Sequence, residues 1–389
     1  MNDMLNGDED FEDLYGKWEP KLYQSSMAGT DRHFAALVGG PRWDDPYTII
    51  LMHDAVEQTF SRSDVRRELR DIRPLPSLRD DAAPSYVTIS LQGDIYVVGP
   101  DGSQHFIIPG TQAESDTAAE IDFRSIFPYN DRWLVAGSGN FLKLGKGESW
   151  EDVSPSLPTE YPYSEAEWAI LGQNIRGEIF IVAIQRPNQR YFNLYPGHPL
   201  YRSDMPEDER FELKKRLRAE KGTHPVLTAL FTGTPGRWKR QVLPERIART
   251  SPPYAWLAAV TSDNRGNDYL VGSDGLVMIG TPENGFSEIS SSPDREKHYS
   301  GAAYLDGELV LIADSELFRF DGHSAKTFTP KVTLQLGSKR VQPSAVFARE
   351  DRLYLFDYGN RIFSLVEGEW REHSIPNELL ERPFKAKKP

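Results

Sequence analysis

Short runs of aromatic and β-branched residues, bounded by Gly, Asp and Asn turns, recur along the whole chain. That texture predicts β-strands joined by tight hairpins. The clearest copies of a strand–turn–strand unit are GDIYVVGPDGSQHFII (93–108), DRWLVAGSGNFLKLG (131–145) and NDYLVGSDGLVMIG (267–280). Two more are GELVLIADSELFRF (307–320) and DRLYLFDYGNRIFSLV (351–366), and weaker ones are YTIILMHDAVEQTF (47–60) and GEIFIVAIQRPNQRYF (177–192). The residues that end the leading strand are His53, Gly99, Gly137, Ala183, Gly272, Ala313 and Asp357. Their intervals are 46, 38, 46, 89, 41 and 44 residues, so all but one keep a common period.

Two further strands attach to most copies. One precedes them, as in SYVTISL (85–91), EWAILGQ (167–173), YAWLAAV (254–260), SGAAYL (300–305) and SAVFA (344–348). Small residues such as Ala258, Ala259, Ala302 and Ala303 suit an innermost strand, where sheets crowd together. The other follows and is led by an aromatic: SWEDVSPSLP (149–158), RWKRQVLP (237–244), GFSEISSSP (285–293), KTFTP (326–330) and EWREHSIP (369–376). Charge, alternating polarity and a terminal Pro mark it as an edge strand.

Four strands repeated about seven times at 38–46 residues is the pattern of propeller blades. The chain resembles the β-propeller superfolds in general, nearest to those whose blades end in a G-x-W or G-x-F strand, as in GRW (236–238) and GEW (368–370). The WD40 and kelch signatures are missing, and FDGHSAKTF (320–328) and LGKGESWEDV (144–153) only hint at an Asp box. The resemblance implies an all-β fold, a single seven-bladed propeller, with each repeat copy as the second and third strands of its blade. SRSDVRRELRD (61–71) reads as a helix capped by Asp64, which leaves six blades plus an N-terminal appendage as the alternative. The predicted layout is an N-terminal segment over 1–30, a propeller over 31–376 and a tail over 377–389.

The long interval holds an insertion at 186–222 in the fourth blade. Its loop, RYFNLYPGHPLYR, is aromatic and Arg-rich. Its helix has Asp204 as N-cap, Glu207 in a capping box, basic residues Lys214, Lys215, Arg216 and Arg218 toward the end, and Gly222 as a stop.

Composition narrows the chemistry. No cysteine is present, so thiolate catalysis, disulfides and Cys-type zinc sites are excluded. The eight histidines form no H-x-x-x-H pair, and there is no nucleophile elbow, P-loop or dinucleotide fingerprint. SDNRGND (262–268) lacks the distal Glu of a calcium loop and reads as a turn. No cofactor or metal is expected. The N-terminus has no basic and apolar leader pattern and no long apolar run follows, which predicts a cytoplasmic location. A net charge of −13 disfavours nucleic acid and anionic membranes and favours a basic protein partner.

The leading expectation is a non-catalytic, protein-binding propeller, in its most specific form an immunity or inhibitor protein that neutralises a basic toxin domain. The alternatives are a carbohydrate-binding or carbohydrate-active propeller with its site at the channel mouth, where Trp43, Trp168 and Trp256 near first strands would stack on sugar rings, although a place in the core between blades suits them better, and a scaffold subunit of a larger complex. Expected partner-binding residues are Asp54, Asp101, Asp274, Asp314 and Asp357 as carboxylates on one rim, with Tyr358 beside them and Tyr191, Phe192, Tyr195 and Tyr201 as anchors in the insertion. Tight hairpins also demand Asp for purely local reasons.

Overall fold

The computed structural model describes residues 20–28, 33–39, 46–54, 59–76, 84–115, 121–157, 165–187, 200–250, 256–289, 297–313, 316–321, 325–327, 341–349 and 352–381, together with Leu194, Pro196 and His198. It is the expected seven-bladed β-propeller: seven sheets of four successive antiparallel strands, the fourth with a short fifth strand added.

The first sheet runs β1 (Lys21–Met27), β2 (Phe34–Gly39), β3 (Thr48–Asp54) and β4 (Thr59–Val65). The second runs β5 (Leu69–Pro74), β6 (Tyr86–Ser90), β7 (Asp94–Gly99) and β8 (Gly102–Ile107). The third runs β9 (Phe123–Tyr129), β10 (Arg132–Gly137), β11 (Leu142–Lys146) and β12 (Ser149–Asp152). The fourth has β13 (Glu167–Gln173) and β14 (Ile179–Gln185), then helix α1 (Glu207–Thr223), then β15 (Val226–Thr234) and β16 (Arg237–Gln241). A short helix α2 (Glu245–Ala248) follows, and a two-residue strand β17 (Arg249–Thr250) returns to pair with β15. The fifth runs β18 (Leu257–Ser262), β19 (Asp268–Gly272), β20 (Val277–Thr281) and β21 (Gly285–Glu288). The sixth runs β22 (Tyr299–Leu305), β23 (Glu308–Ala313), β24 (Glu316–Phe320) and β25 (Ala325–Thr327). The last runs β26 (Pro343–Arg349), β27 (Arg352–Asp357), β28 (Arg361–Val366) and β29 (Glu369–His373), with a 3₁₀ turn (Asn377–Leu379) after it.

Two assignments differ from the sequence reading. The copies at 47–60 and 93–108 are the third and fourth strands of their sheets, not the second and third. SYVTISL is correspondingly a second strand. The stretch 61–71 is not a helix; it supplies β4 and the start of β5. Its charged residues sit on an outer strand with alternating exposure, where polarity along one strand face looks like a polar helix in sequence. β1 also begins the first sheet inside residues 1–30.

The chain divides into two units. One comprises Met1–Glu120, Ala303–Arg319 and Ala325–Pro389; the other comprises Ile121–Ala302 and Phe320–Ser324. In the first unit, Leu22, Phe34, Ile49, Phe356 and Ile362 form a fully buried core across the first and last sheets. Phe34 stacks on His53 at 4.6 Å between ring centres and meets Phe356 edge-on at 5.2 Å. The turn after the last sheet is also tied there: Arg62 on β4 donates from Nη1 to the carbonyls of Leu379 (3.0 Å) and Glu381 (2.7 Å).

His373 lies at the edge of this core, 6.2 Å from His53 and 2.9 Å from the Ser364 hydroxyl. Burial, followed by the nearby Arg352 guanidinium, holds its imidazole below the ordinary value of 6.5. The folded protein therefore prefers the neutral ring, and the unfolded chain binds more protons once pH drops below 6.5. Stability from this group is full above that pH and is lost as pH falls through the folded value. The denaturation midpoint should drop between pH 7.5 and pH 5, and His373→Gln should flatten that slope; an unchanged slope would remove His373 from the account.

In the second unit the aromatic-led outer strands have a common cause. Gly145 faces Trp150, Gly233 faces Trp238 and Gly280 faces Phe286 across the third and fourth strands. A Cβ at any of these glycines would overlap the neighbouring strand, and at Gly145 the Trp150 ring itself. A large ring laid over a strand glycine restores the packing that the missing side chain gives up. Trp238 also donates from Nε1 to the Val153 carbonyl of the third sheet at 2.6 Å.

Candidate functional site

The fourth sheet departs from the common plan, and the reason is visible in its register. β15 is nine residues long, and no single outer strand covers it. β16 pairs with Leu230–Thr234, whereas β17 pairs with Val226 and Leu227. The chain between them, Val242–Ala248, loops outward and forms α2. Thr228 and Ala229 therefore have no strand partner on that side.

A cavity of about 220 Å³ opens at this gap. Side chains directly opposite in neighbouring strands share a face. Ala183 pairs with Ala229, and Gln185 pairs with Leu227. Phe231 pairs with Arg240, and Leu227 with Arg249. By this alternation Ala183, Gln185, Leu227, Ala229, Arg240 and Arg249 occupy one face. Two alanines meeting where larger residues would fill the space leave a hollow floor. Leu157, from the segment after β12, supplies a wall, and Glu245 and Ala248 of α2 supply a rim.

The polar groups of the cavity are underused. Gln185 lines the cavity and is only 7% exposed, and the hydroxyl of Thr228, 3% exposed, has no hydrogen-bond partner among the described residues. Arg240 has no carboxylate partner among them either. Arg249 reaches Glu245 at 3.8 Å, but both side chains are largely in water, where such a pair contributes little.

The insertion leaves the sheet at the same place, since β14 ends at Gln185 and β15 starts at Val226. The expected helix is present over Glu207–Thr223. It starts later than read: Asp204 lies in a turn outside it, and the Pro206 carbonyl accepts the Arg210 N–H at 2.9 Å. Pro206 suits the entry because its fixed φ and missing N–H cost nothing there. Leu217 is buried, with Arg210, Leu213 and Glu220 half-buried along the same helical face. Phe211 and Leu200 stay exposed, at 65% and 44%. Tyr201 packs under the Arg210 guanidinium, 5.4 Å from its ring centre. Tyr191, Phe192 and Tyr195 lie outside the described residues.

The acidic rim is not assembled as expected. Asp54 and Asp101 stand at third-to-fourth turns, the opposite end of their sheets from second-to-third turns. Asp54 is partly covered and 3.8 Å from His33. Asp101 is exposed. Asp274 does stand at a second-to-third turn, in the left-handed region (φ 55°), where Asp is tolerated for backbone reasons. Its N–H points to His298 Nδ1 at 3.4 Å. Asp314 lies outside the described residues. Asp357 is fully buried, bonded to Arg361 Nε at 2.6 Å and to the Gln342 N–H at 2.5 Å. It is a structural carboxylate and is not available to a partner, while its neighbour Tyr358 is 39% exposed.

Of the tryptophans, Trp168 takes the core role. Trp168 is 1% exposed and sits in the core with Phe231 at 5.9 Å, so it offers no face to a sugar. Trp256 is 40% exposed and leans on His298. Trp43 lies outside the described residues. The 262–268 segment is a turn, as read. Burial works against ionisation of Asp263, but hydrogen bonds from Asn267 and Arg265 outweigh it and hold its carboxyl below the ordinary value. Among the described residues no three His, Asp or Glu side chains gather as metal ligands. No described helix is long and apolar enough to cross a membrane.

The cavity residues were absent from the sequence reading. The available signal was the basic outer strand RWKRQ, which places Arg240 beside an unusually long third strand.

No family model and no curated protein matches the chain. Solved structures do. A puromycin-hydrolysing peptidase of Mycobacterium tuberculosis aligns with 10% identity and a TM-score of 0.53, over 95% of this chain and 54% of the peptidase. The chain thus spans about half that enzyme's length. The β-propeller domain of the Trilobed protease from Pyrococcus furiosus aligns with 11% identity and a TM-score of 0.46, over 92% of this chain and 99% of that one. YCF48 from Cyanidioschyzon merolae aligns with 10% identity and a TM-score of 0.49, over 89% and 92%. At 10% identity the likeness to the peptidase concerns the fold alone.

Proposed function

We propose that this chain is a protein-binding propeller that docks its partner on the insertion-bearing end of the fourth sheet. The observation that carries this reading is the cavity at the root of the insertion, with the unpartnered Thr228 hydroxyl in its lining. Three supports stand beside it. The sheet is complete in four strands without the insertion. The insertion exposes Phe211 and Leu200, and the loop between β16 and α2 exposes Val242 at 83%. Exposed apolar side chains on an elaboration of a rigid scaffold suit a contact surface.

The more specific version, inhibition of a basic toxin domain, draws its support from the net charge of −13, which attracts a basic protein at long range. A cytoplasmic location belongs to the same version.

The test is replacement of residues 186–222 by a short Gly-containing hairpin. Loop length is a minor entropic cost, so the propeller should keep its cooperative unfolding. Proteins captured by the intact chain from native lysate, identified by mass spectrometry, should be lost from the variant. Binding of the captured partner should weaken by more than about 1 kcal/mol. A folded variant that captures the same partner with the same affinity would overturn the reading.

A further inference from the structure

We infer that the cavity on the fourth sheet is a carboxylate site, and that its occupant is the C-terminal residue of a partner chain. The inference deepens the protein-binding reading and rests on it for the source of the carboxylate.

The chemistry of the walls selects the ligand. Two guanidiniums, Arg240 and Arg249, and one amide, Gln185, all donate hydrogen bonds. Arginine and carboxylate match as paired forks, so two arginines on one face favour a carboxylate over a neutral polar group. Glu245, on the α2 rim, is 83% exposed in its side chain and only 3.8 Å from Arg249 at its nearest oxygen. A buried ligand carboxylate would compete with it on favourable terms. The acidity of the whole chain does not oppose this, because close contacts are governed by local charge and distant ones are screened by salt.

The size and the apolar half of the cavity select the residue. A volume of about 220 Å³ corresponds to roughly seven waters at ~30 Å³ each. That is below the ~300–1,000 Å³ typical of drug-sized ligands and suits one residue. Leu157, Leu227, Ala183 and Ala229 provide an apolar floor. A terminal residue with an aliphatic side chain satisfies both halves: its carboxylate meets the arginines and its side chain covers the floor. A glutamate side chain brings the carboxylate but only two methylenes. The open stretch of β15 at Thr228 and Ala229 lies beside the same cavity, where the backbone of an arriving chain end would pass.

The experiment uses the full chain and small probes, read by ligand-observed NMR and titration calorimetry. N-acetylleucine presents an α-carboxylate on an aliphatic residue, N-acetylleucinamide is its neutral counterpart, and N-acetylglutamate α-amide carries the carboxylate on the side chain only. N-acetylleucine is expected to bind at least tenfold more tightly than the other two. Arg240→Gln and Arg249→Gln, both at exposed positions that leave folding intact, should each reduce its affinity at least tenfold. Ala229→Leu, which fills the floor, should abolish binding. Equal affinity for acid and amide, or wild-type affinity in both arginine variants, would overturn the carboxylate site. A preference for N-acetylglutamate α-amide would overturn the terminal residue as its occupant. The two readings fail separately: absent probe binding with insertion-dependent partner capture removes only the carboxylate site. Probe binding without insertion-dependent capture removes only the protein-docking reading and its partner-derived occupant.

Discussion

Asp357→Ala is expected to cost about 3–5 kcal/mol of stability, the range for removing one member of a buried ion pair. Asp357 has no exposed surface, and Arg361 keeps only 14% of its side chain in water. With the carboxylate gone, the buried guanidinium would lose this ion pair, and the Gln342 N–H would lose its acceptor. The local chain is shaped around this carboxylate. Asn360 adopts the left-handed region (φ 60°), its N–H closing the turn on the Asp357 carbonyl at 3.0 Å. A Cβ at Gly359 would come within 2.7 Å of Asp357 Oδ2, so glycine is required by close approach. Urea titration followed by fluorescence should show a lower midpoint for Asp357→Ala. The double variant with Arg361→Met should lose less than the sum of the two single losses, because their interaction is removed once. A variant with wild-type stability and impaired partner binding would return Asp357 to the role its turn position suggested.

Arg62→Met should cost about 3 kcal/mol, since several charge-assisted hydrogen bonds are lost at once and each is worth roughly 1.5–3 kcal/mol without full additivity. One guanidinium there gathers Asp64 Oδ1 at 2.7 Å, the Tyr47 hydroxyl at 3.2 Å and carbonyls of Glu378, Leu379 and Glu381. It fastens the C-terminal turn against β4 of the first sheet, where Leu379 and Leu380 pack on the shared core. Among the described residues no strand is exchanged between first and last sheets, each being made of four successive strands. The seam therefore depends on side chains. Because most acceptors are carbonyls and only 13% of the Arg62 side chain is exposed, the loss should persist at 0.5 M salt. In a chain truncated after Pro376, Arg62→Met should add much less than it does in the full chain. Equal costs in both would show that the arginine acts through Asp64 and Tyr47 alone.

The tyrosine at this seam gives the alkaline limit. Burial first, then the Asp64 hydrogen bond, push the Tyr47 hydroxyl up from 10 to about 12. A raised acid is neutral in the folded state, so its contribution is full below pH 10 and fades as pH rises toward 12.

What the sequence determined by itself was the kind of the units and their period; their number it left between six and seven, and the pairing of β1–β4 as a full first sheet decided for seven. Seven copies at near-constant spacing, each with turn residues at fixed places, are local signals, and β-hairpin geometry depends on those residues more than on distant contacts. The insertion was legible for the same reason, as one interval of 89 among intervals of 38–46. The place of a strand within its sheet was less so. In the first two sheets the polar strands β4 and β8 closely resemble second members of ordinary hairpins, and only the pairing of β3 with β2 and of β7 with β6 shows them to be outermost. Tertiary structure alone decided which carboxylates face water. Asp101 and Asp357 both stand in Gly-containing turns, yet one is exposed and the other is closed in by Arg361 and Gln342. The cavity is the extreme case. Ala183, Arg240 and Arg249 are up to 66 residues apart (249 − 183), and they meet because β15 takes its outer partners from two separate segments. Hairpin signals report a strand's immediate neighbours in the chain, whereas a gap between two edge partners exists only after both have paired.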